Sequence, residues 1–260
     1  MTDPSRILIL GGTTEASTLA RLLAGDRRFE ATLSLAGRTS TPRPQPLPTR
    51  VGGFGGVEGL ARYLREQAID AVVDATHPYA DQISANAVAA CRQTGVPLVS
   101  IARAAWAPQS GDVWQIVPTA ADAARTLGSP PRRVFLSLGR LDLPAFASAP
   151  QHHYLARVID PPQESTLPPD IRFLQARGPF DRPSEAKLLG DEKIEVIVSK
   201  NSGGLATYPK IEAARDLTLP VIMIARPEKA TGHVVTRAEE AIAWLEQQTH
   251  DRPSRSLRGV

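Results

Sequence analysis

Cysteine is almost missing. Cys91 is the single one among 260 residues, so no intramolecular disulfide forms, cysteine-built zinc frameworks are excluded, and a reducing compartment, the cytoplasm, is the expected setting. Aromatics make up only 5% of the chain, too few for the base-stacking platforms of nucleic-acid-binding proteins. Lysine is scarce as well: of 30 basic residues only Lys187, Lys193, Lys200, Lys210 and Lys229 are lysines, and the arginines form no run longer than Arg27-Arg28 and Arg132-Arg133. The formal charge of +3 is therefore a scattered excess, which argues against nucleic acid as a partner. Long apolar runs are absent too. Met1–Ser5 passes directly into the short stretch Ile7–Leu10, so neither a signal peptide nor a membrane span is expected. No G-x-S-x-G elbow or Walker lysine motif occurs. His152-His153 has no partner at ligand spacing, and His233 and His250 stand alone, so no metal site is expected.

What is present is ordinary globular material, 42% hydrophobic and 22% charged. The length allows one large domain or two of roughly 100–150 residues. Arg6–Leu10 reads as a buried strand ending at Gly11-Gly12, and Leu19, Leu22 and Leu23 follow at helical spacing behind an N-cap at Thr13 or Thr14. Strands at Ala31–Ala36, Ile69–Val73 and Pro97–Ile101 alternate with helices at Val57–Gln67 and Tyr79–Thr94. Thr41–Pro48, with four prolines, is a loop. Strands at Trp114–Val117, Val134–Leu138, Tyr154–Ile159, Arg172–Ala176, Ile194–Val198 and Pro220–Ile224 follow. Helices are read at Ala120–Leu127, Pro183–Gly190, Thr207–Arg215 and Arg237–Gln248, ahead of a loose tail from Thr249. Such alternation specifies parallel sheets covered on both faces.

The halves echo each other. Ile69–Val73, a polar loop, a helix and Val96–Arg103 correspond to Ile194–Val198, loop, helix and Leu219–Arg226 at an offset of roughly 124 residues. The expected architecture is α/β, two Rossmann-like parallel-sheet halves with a ligand cleft between them. A cofactor-binding half at 1–105, a substrate half at 106–248 and a flexible tail at 249–260 are the expected divisions.

The first strand-to-helix turn, Gly11-Gly12-Thr13-Thr14-Glu15, offers backbone N–H groups and a helix N-terminus to a diphosphate. It departs from G-x-G-x-x-G in having no later glycine. Gly37-Arg38-Thr39 ends the second strand, where an acidic residue would hold a ribose 2′-hydroxyl; a cation with a hydroxyl suits a 2′-phosphate, hence NADPH over NADH. Asp74-Ala75-Thr76-His77-Pro78-Tyr79 closes another strand, placing Thr76 near cofactor or substrate and making His77 a candidate acid. In the second half Ser199-Lys200-Asn201-Ser202-Gly203-Gly204 is the matching turn. Asn201, Ser202 and Gly203 there are candidate cofactor contacts, and Lys200 can neutralise a carboxylate or deliver a proton. Each of these residues alone also reads as a solvated loop residue or cap.

Taken together, Ile7–Ala16, Asp74–Ala80 and Ser199–Gly204, in this order and spacing, resemble the precorrin-6A reductases of cobalamin biosynthesis along Arg6–Gln248. The resemblance implies a reduced nicotinamide, typically NADPH, two Rossmann-like halves, and reduction of one double bond of a polycarboxylate tetrapyrrole to precorrin-6B. Arg103, Arg140, Arg177, Arg226 and Lys200 are then candidate partners for the substrate carboxylates. The proton donor is Lys200, His77 or bound water, and the oligomeric state stays open. Alternatives are a cobalt-precorrin-6A reductase using NADH, a nucleotide-donor transferase, or a non-catalytic nucleotide sensor.

Overall fold

The apolar run after Ser5 alternates between two cores. In the computed structural model, which describes residues 3–37, 43–162 and 166–250, it forms β1 (Ser5–Leu10). Ile7 and Ile9 enter one cluster and Leu8 and Leu10 the other, as a strand with period two must when both sheet faces are covered. Next come α1 (Thr14–Leu23), β2 (Phe29–Leu35), β3 (Thr49–Val51), α2 (Gly56–Glu66), β4 (Ala71–Asp74), α3 (Asp81–Thr94) and β5 (Leu98–Ile101). Ala16, Leu19 and Leu23 of α1 pack on the Ile7–Ile9 face; Leu60 and Leu64 of α2 and Ala87 and Cys91 of α3 pack on the opposite one. Each buried leucine contributes about 2 kcal/mol. Cys91 is a core residue, and burial pushes its thiol up to about 12, so it stays protonated and inert.

The chain then builds a second sheet: β6 (Val113–Val117), α4 (Ala120–Thr126), β7 (Arg133–Ser137), a 3-10 stretch Arg140–Ser148, β8 (His153–Val158), β9 (Ile171–Gln175), α5 (Arg182–Asp191), β10 (Val196–Lys200), α6 (Pro209–Asp216) and β11 (Pro220–Ile224). Pro144 lies within the 3-10 stretch and cannot donate an α-helical hydrogen bond, while Leu143 and Phe146 are fully buried. Finally β12 (His233–Val235) and α7 (Ala238–His250) complete the described chain.

The sheet orders are β12-β5-β4-β1-β2-β3 and β6-β11-β10-β7-β8-β9, all pairs parallel. Both are doubly wound. Strand order reverses between β1 and β4 in the first sheet and between β7 and β10 in the second.

The expected division at 106–248 needs correction. One unit comprises the described residues to Ala104 and from Pro227 onward; the other is Ala105–Arg226. The end of the chain returns because β12 pairs with β5, and Ala238, Ala241 and Leu245 of α7 fill the core that contains α1. The first sheet thus takes its sixth strand, β12, from beyond the Ala105–Arg226 unit, whereas β6 joins the second sheet from within its own unit. The helix expected at Arg237–Gln248 spans Ala238–His250, so Thr249 and His250, expected in the tail, belong to it, and residues 251–260 lie outside the described ones.

The Ala105–Arg226 unit also buries charge. Arg157 of β8 and Glu185 of α5 form a bidentate pair at 2.6 and 3.0 Å, and the guanidinium stacks 4.0 Å from the Phe180 ring centroid. Beside them Lys210 of α6 is 3% exposed; its Nζ donates to Thr207 O at 2.9 Å and lies 4.8 Å from the Trp106 ring centroid. His152 is fully buried, and burial lowers its imidazole pKa. His233 stacks on Trp244.

Candidate functional site

In doubly wound sheets, ligands sit beyond the carboxyl ends of the strands where strand order reverses. In the first unit that place is made by the residues after β1 and β4. Gly11 sits in close packing: a Cβ there would lie 2.6 Å from Leu33 Cδ1 and 3.3 Å from Ala16 Cβ, so Leu33 would have to shift. Gly12 is exposed with φ +121°, and nothing lies within 4 Å of where its Cβ would be. The Gly12 and Thr13 N–H groups make no hydrogen bond among the described residues, and Thr14 is exposed beside them. An open turn with spare amides at the start of α1 fits a dinucleotide diphosphate.

The Thr13 hydroxyl is not free for that task. It accepts from Ala16 N at 3.2 Å as the α1 N-cap and donates to Ala75 O at 2.7 Å, stitching the turn to the end of β4. Glu15 pairs with Arg103 at 2.7 Å. Burial works against its ionisation, but the Arg103 hydrogen bond and charge hold its carboxyl below the usual value. Arg103, expected to meet substrate, thus braces the first turn of α1.

Thr76 departs from expectation in a similar way. Its hydroxyl donates to Asp74 Oδ1 at 2.7 Å, and its backbone N–H reaches the same oxygen at 3.0 Å. Ser84 Oγ lies 3.3 Å away. Asp74 is 1% exposed, and its charge is met by Lys229, 3.3 Å from Oδ2. His77 is half-buried; its Nδ1 accepts from Tyr79 N at 3.3 Å, and its ring lies 5.6 Å from that of Tyr79. Gly37 is exposed with φ +72°. Arg38 and Thr39 lie outside the described residues. Arg50 was not anticipated: its guanidinium donates to Ser34 Oγ at 2.7 Å and covers the Phe54 ring at 3.9 Å, beside the loop that ends β2.

The second unit repeats the arrangement beyond β7 and β10. Lys200 Nζ, at the last residue of β10, lies 2.6 Å from Asp142 Oδ2, both side chains about one-fifth exposed. Asp142 was not singled out from the sequence, although the signal was there: it follows the Gly139-Arg140 turn at the carboxyl end of the strand next to that of Lys200. Arg140 is half-buried with no ion-pair partner among the described residues. Arg177, after β9, is also half-buried. Asn201 is occupied otherwise than expected. Its side chain accepts from Trp106 N at 2.8 Å and donates to Trp106 O at 2.9 Å, and its own carbonyl accepts from Arg226 Nε at 2.7 Å. Asn201 and Arg226 therefore fasten the backbone of this unit. Ser202 N–H donates to Lys200 O at 2.9 Å, and Gly203, at φ +70°, completes the turn. Among the described residues no cluster of three or more His, Cys, Asp or Glu suits a metal ion, and no helix is long and apolar enough to cross a membrane.

The sequence matches the family described as Precorrin-6x reductase CbiJ/CobK over residues 6–246. It is 52% identical to the Precorrin-6A reductase of Rhodobacter capsulatus over 241 residues, 93% of this chain and 96% of that one. It is 41% identical to the Precorrin-6A reductase of Mycobacterium tuberculosis over 93% of this chain and 97% of the other. The solved structure "CobK precorrin-6A reductase" superposes with a TM-score of 0.89 at 50% identity, covering 97% of this chain and all of that one. The chain belongs to the precorrin-6x reductase family, oxidoreductases of cobalamin biosynthesis.

Proposed function

We propose that this protein uses NADPH to reduce one ring double bond of precorrin-6A to precorrin-6B. The observation that carries the reading is the exposed Gly11–Thr14 turn, with spare N–H groups at the β1–β4 reversal point. When bound, the reduced nicotinamide supplies the hydride, and the double bond also needs one proton. Lys200, held by Asp142, is the group proposed to hold and deliver it; His77 is the second candidate. Arg140 and Arg177 are proposed to meet substrate carboxylates, since guanidinium groups bind them in bidentate fashion. The metal-free macrocycle is the preferred substrate. Relatives named Precorrin-6A reductase share 41–52% identity with this chain, and those named Cobalt-precorrin-6A reductase 27–30%.

Fluorescence titration tests the cofactor. NADPH is expected to bind more tightly than NADH, and Arg38→Ala to weaken NADPH by about tenfold or more while changing NADH by less than about twofold, because the Arg38 cation is read from the sequence as the partner of the 2′-phosphate and such a contact is charge-assisted. Equal affinity of the unaltered protein for both dinucleotides would remove the 2′-phosphate reading. Binding of a nucleotide sugar with none of NADPH would favour the transferase, and dinucleotide binding without turnover of any tetrapyrrole would favour the sensor.

A further inference from the structure

With the Thr76 hydroxyl spent on Asp74, the group that meets both of them at the carboxyl end of β4 is an ammonium. Lys229 lies between Arg226 and β12, in the stretch that brings the chain back to the first sheet. Its Nζ is 3.0 Å from Thr76 Oγ1, 3.4 Å from Asp74 Oδ1 and 3.3 Å from Asp74 Oδ2. The Asp74 Oδ2 atom is buried with no hydrogen bond, so the carboxylate depends on this cation for its charge balance. The Lys229 side chain is 14% exposed, so part of it faces out of the cluster.

Two contacts join this cluster to the phosphate turn. Thr13 Oγ1 donates to Ala75 O, and Ala75 N–H donates to Leu10 O at 2.9 Å, so the residue between Asp74 and Thr76 is bonded to both ends of the turn. The chain three residues after Lys229 is held as well. Gly232 N–H donates to Ser100 Oγ at 3.2 Å, and a Cβ at Gly232 would come within 2.3 Å of Leu98 O, so the segment lies flat against β5.

We propose that Lys229 is a cofactor-binding residue, its ammonium held by Asp74 and Thr76 and donating to the diphosphate of the bound dinucleotide. The proposal rests on the reading of the Gly11–Thr14 turn as the dinucleotide site, and it gives that site a cation the turn itself lacks. An ammonium with three N–H donors can serve Asp74, Thr76 and a phosphate oxygen at once.

The test compares dissociation constants for NADPH and NADH, by calorimetry, in the unaltered chain, Lys229→Gln and the double variant Asp74→Asn/Lys229→Gln, with thermal melting of each. Asparagine keeps the oxygen that Thr76 uses and removes the buried charge. Lys229→Gln is expected to weaken both dinucleotides by about tenfold, since they share the diphosphate. The double variant is expected to melt close to the unaltered protein and to stay about tenfold weak. Full recovery of affinity in the double variant would show that Lys229 only neutralises Asp74 and would overturn the proposal, as would unchanged affinity in Lys229→Gln. Absence of any dinucleotide binding by the unaltered chain would instead remove the underlying reading of the turn, and the proposal with it.

Discussion

Replacing Lys200 by alanine is expected to lower kcat by about two to four orders of magnitude, the usual worth of a positioned proton donor, and to leave the NADPH dissociation constant nearly unchanged. The split follows from placement. Lys200 ends β10 in the Ala105–Arg226 unit, whereas the turn with spare amides follows β1 in the other unit. Asp142→Asn keeps the shape beside Lys200 and removes the charge that holds its ammonium, so a smaller loss of kcat is expected, together with a changed pH profile. His77→Ala is the control. Its Nδ1 already accepts from Tyr79 N–H, as a loop-organising residue does. If His77→Ala lowers kcat far more than Lys200→Ala, the proton donor has been assigned to the wrong residue. Single-turnover reduction of precorrin-6A in light and heavy water, followed by absorbance, measures the step directly.

The second large effect concerns stability. Burial lowers the Lys210 ammonium pKa from 10.5 to about 7; Arg157 of β8 pushes it further down and Glu185 of α5 opposes that. In the unfolded chain the amine ionises normally, so between about pH 7 and 10.5 the unfolded state holds a proton that the folded state does not. Unfolding takes up that proton, and stability therefore rises with pH through this window, by at most about 1.4 kcal/mol per pH unit. Below the lower value both states are charged and the whole cost of burial is present; above the upper value it disappears. Lys210→Met, which keeps contact with Trp106, is expected to stabilise the protein by about 2–3 kcal/mol at pH 6 and by little at pH 10. Denaturant unfolding of both proteins at pH 6, 8 and 10 checks it. Parallel stability curves would mean that Lys210 is not the group responsible.

Where the candidate site should lie was legible because strand ends announce themselves. The glycine turn after Leu10, the Asp74–Tyr79 loop and the Lys200 turn each follow a β-branched or leucine run, and each parallel sheet places its own strand ends on one edge, the first two segments in the first sheet and the Lys200 turn in the second. What was missed was pairing at a distance. Asp142 stands 58 residues from Lys200, and Lys229 stands 155 from Asp74. No local pattern links those partners. Thr13, Thr76 and Asn201 were read as donors to a ligand because their residue types suit it, yet the fold turns all three inward to tie loops to neighbouring backbone or carboxylate.

By itself the sequence determined the class of the fold, the order of most of its strands and helices (β3, β12 and the 3-10 stretch Arg140–Ser148 excepted), and the family. These depend on periodicity and turn chemistry, which act over a few residues, and on motifs that lie contiguous in the chain. Only the tertiary structure decided which unit owns the end of the chain. The three residues of β12 carry almost no strand signal of their own and are placed by their ladder to β5 and by the apolar face of α7 against the core of α1. The same return brings Lys229 to the buried Asp74. A carboxylate taken out of water requires a nearby cation, and its charge sets no condition on where in the sequence that cation comes from.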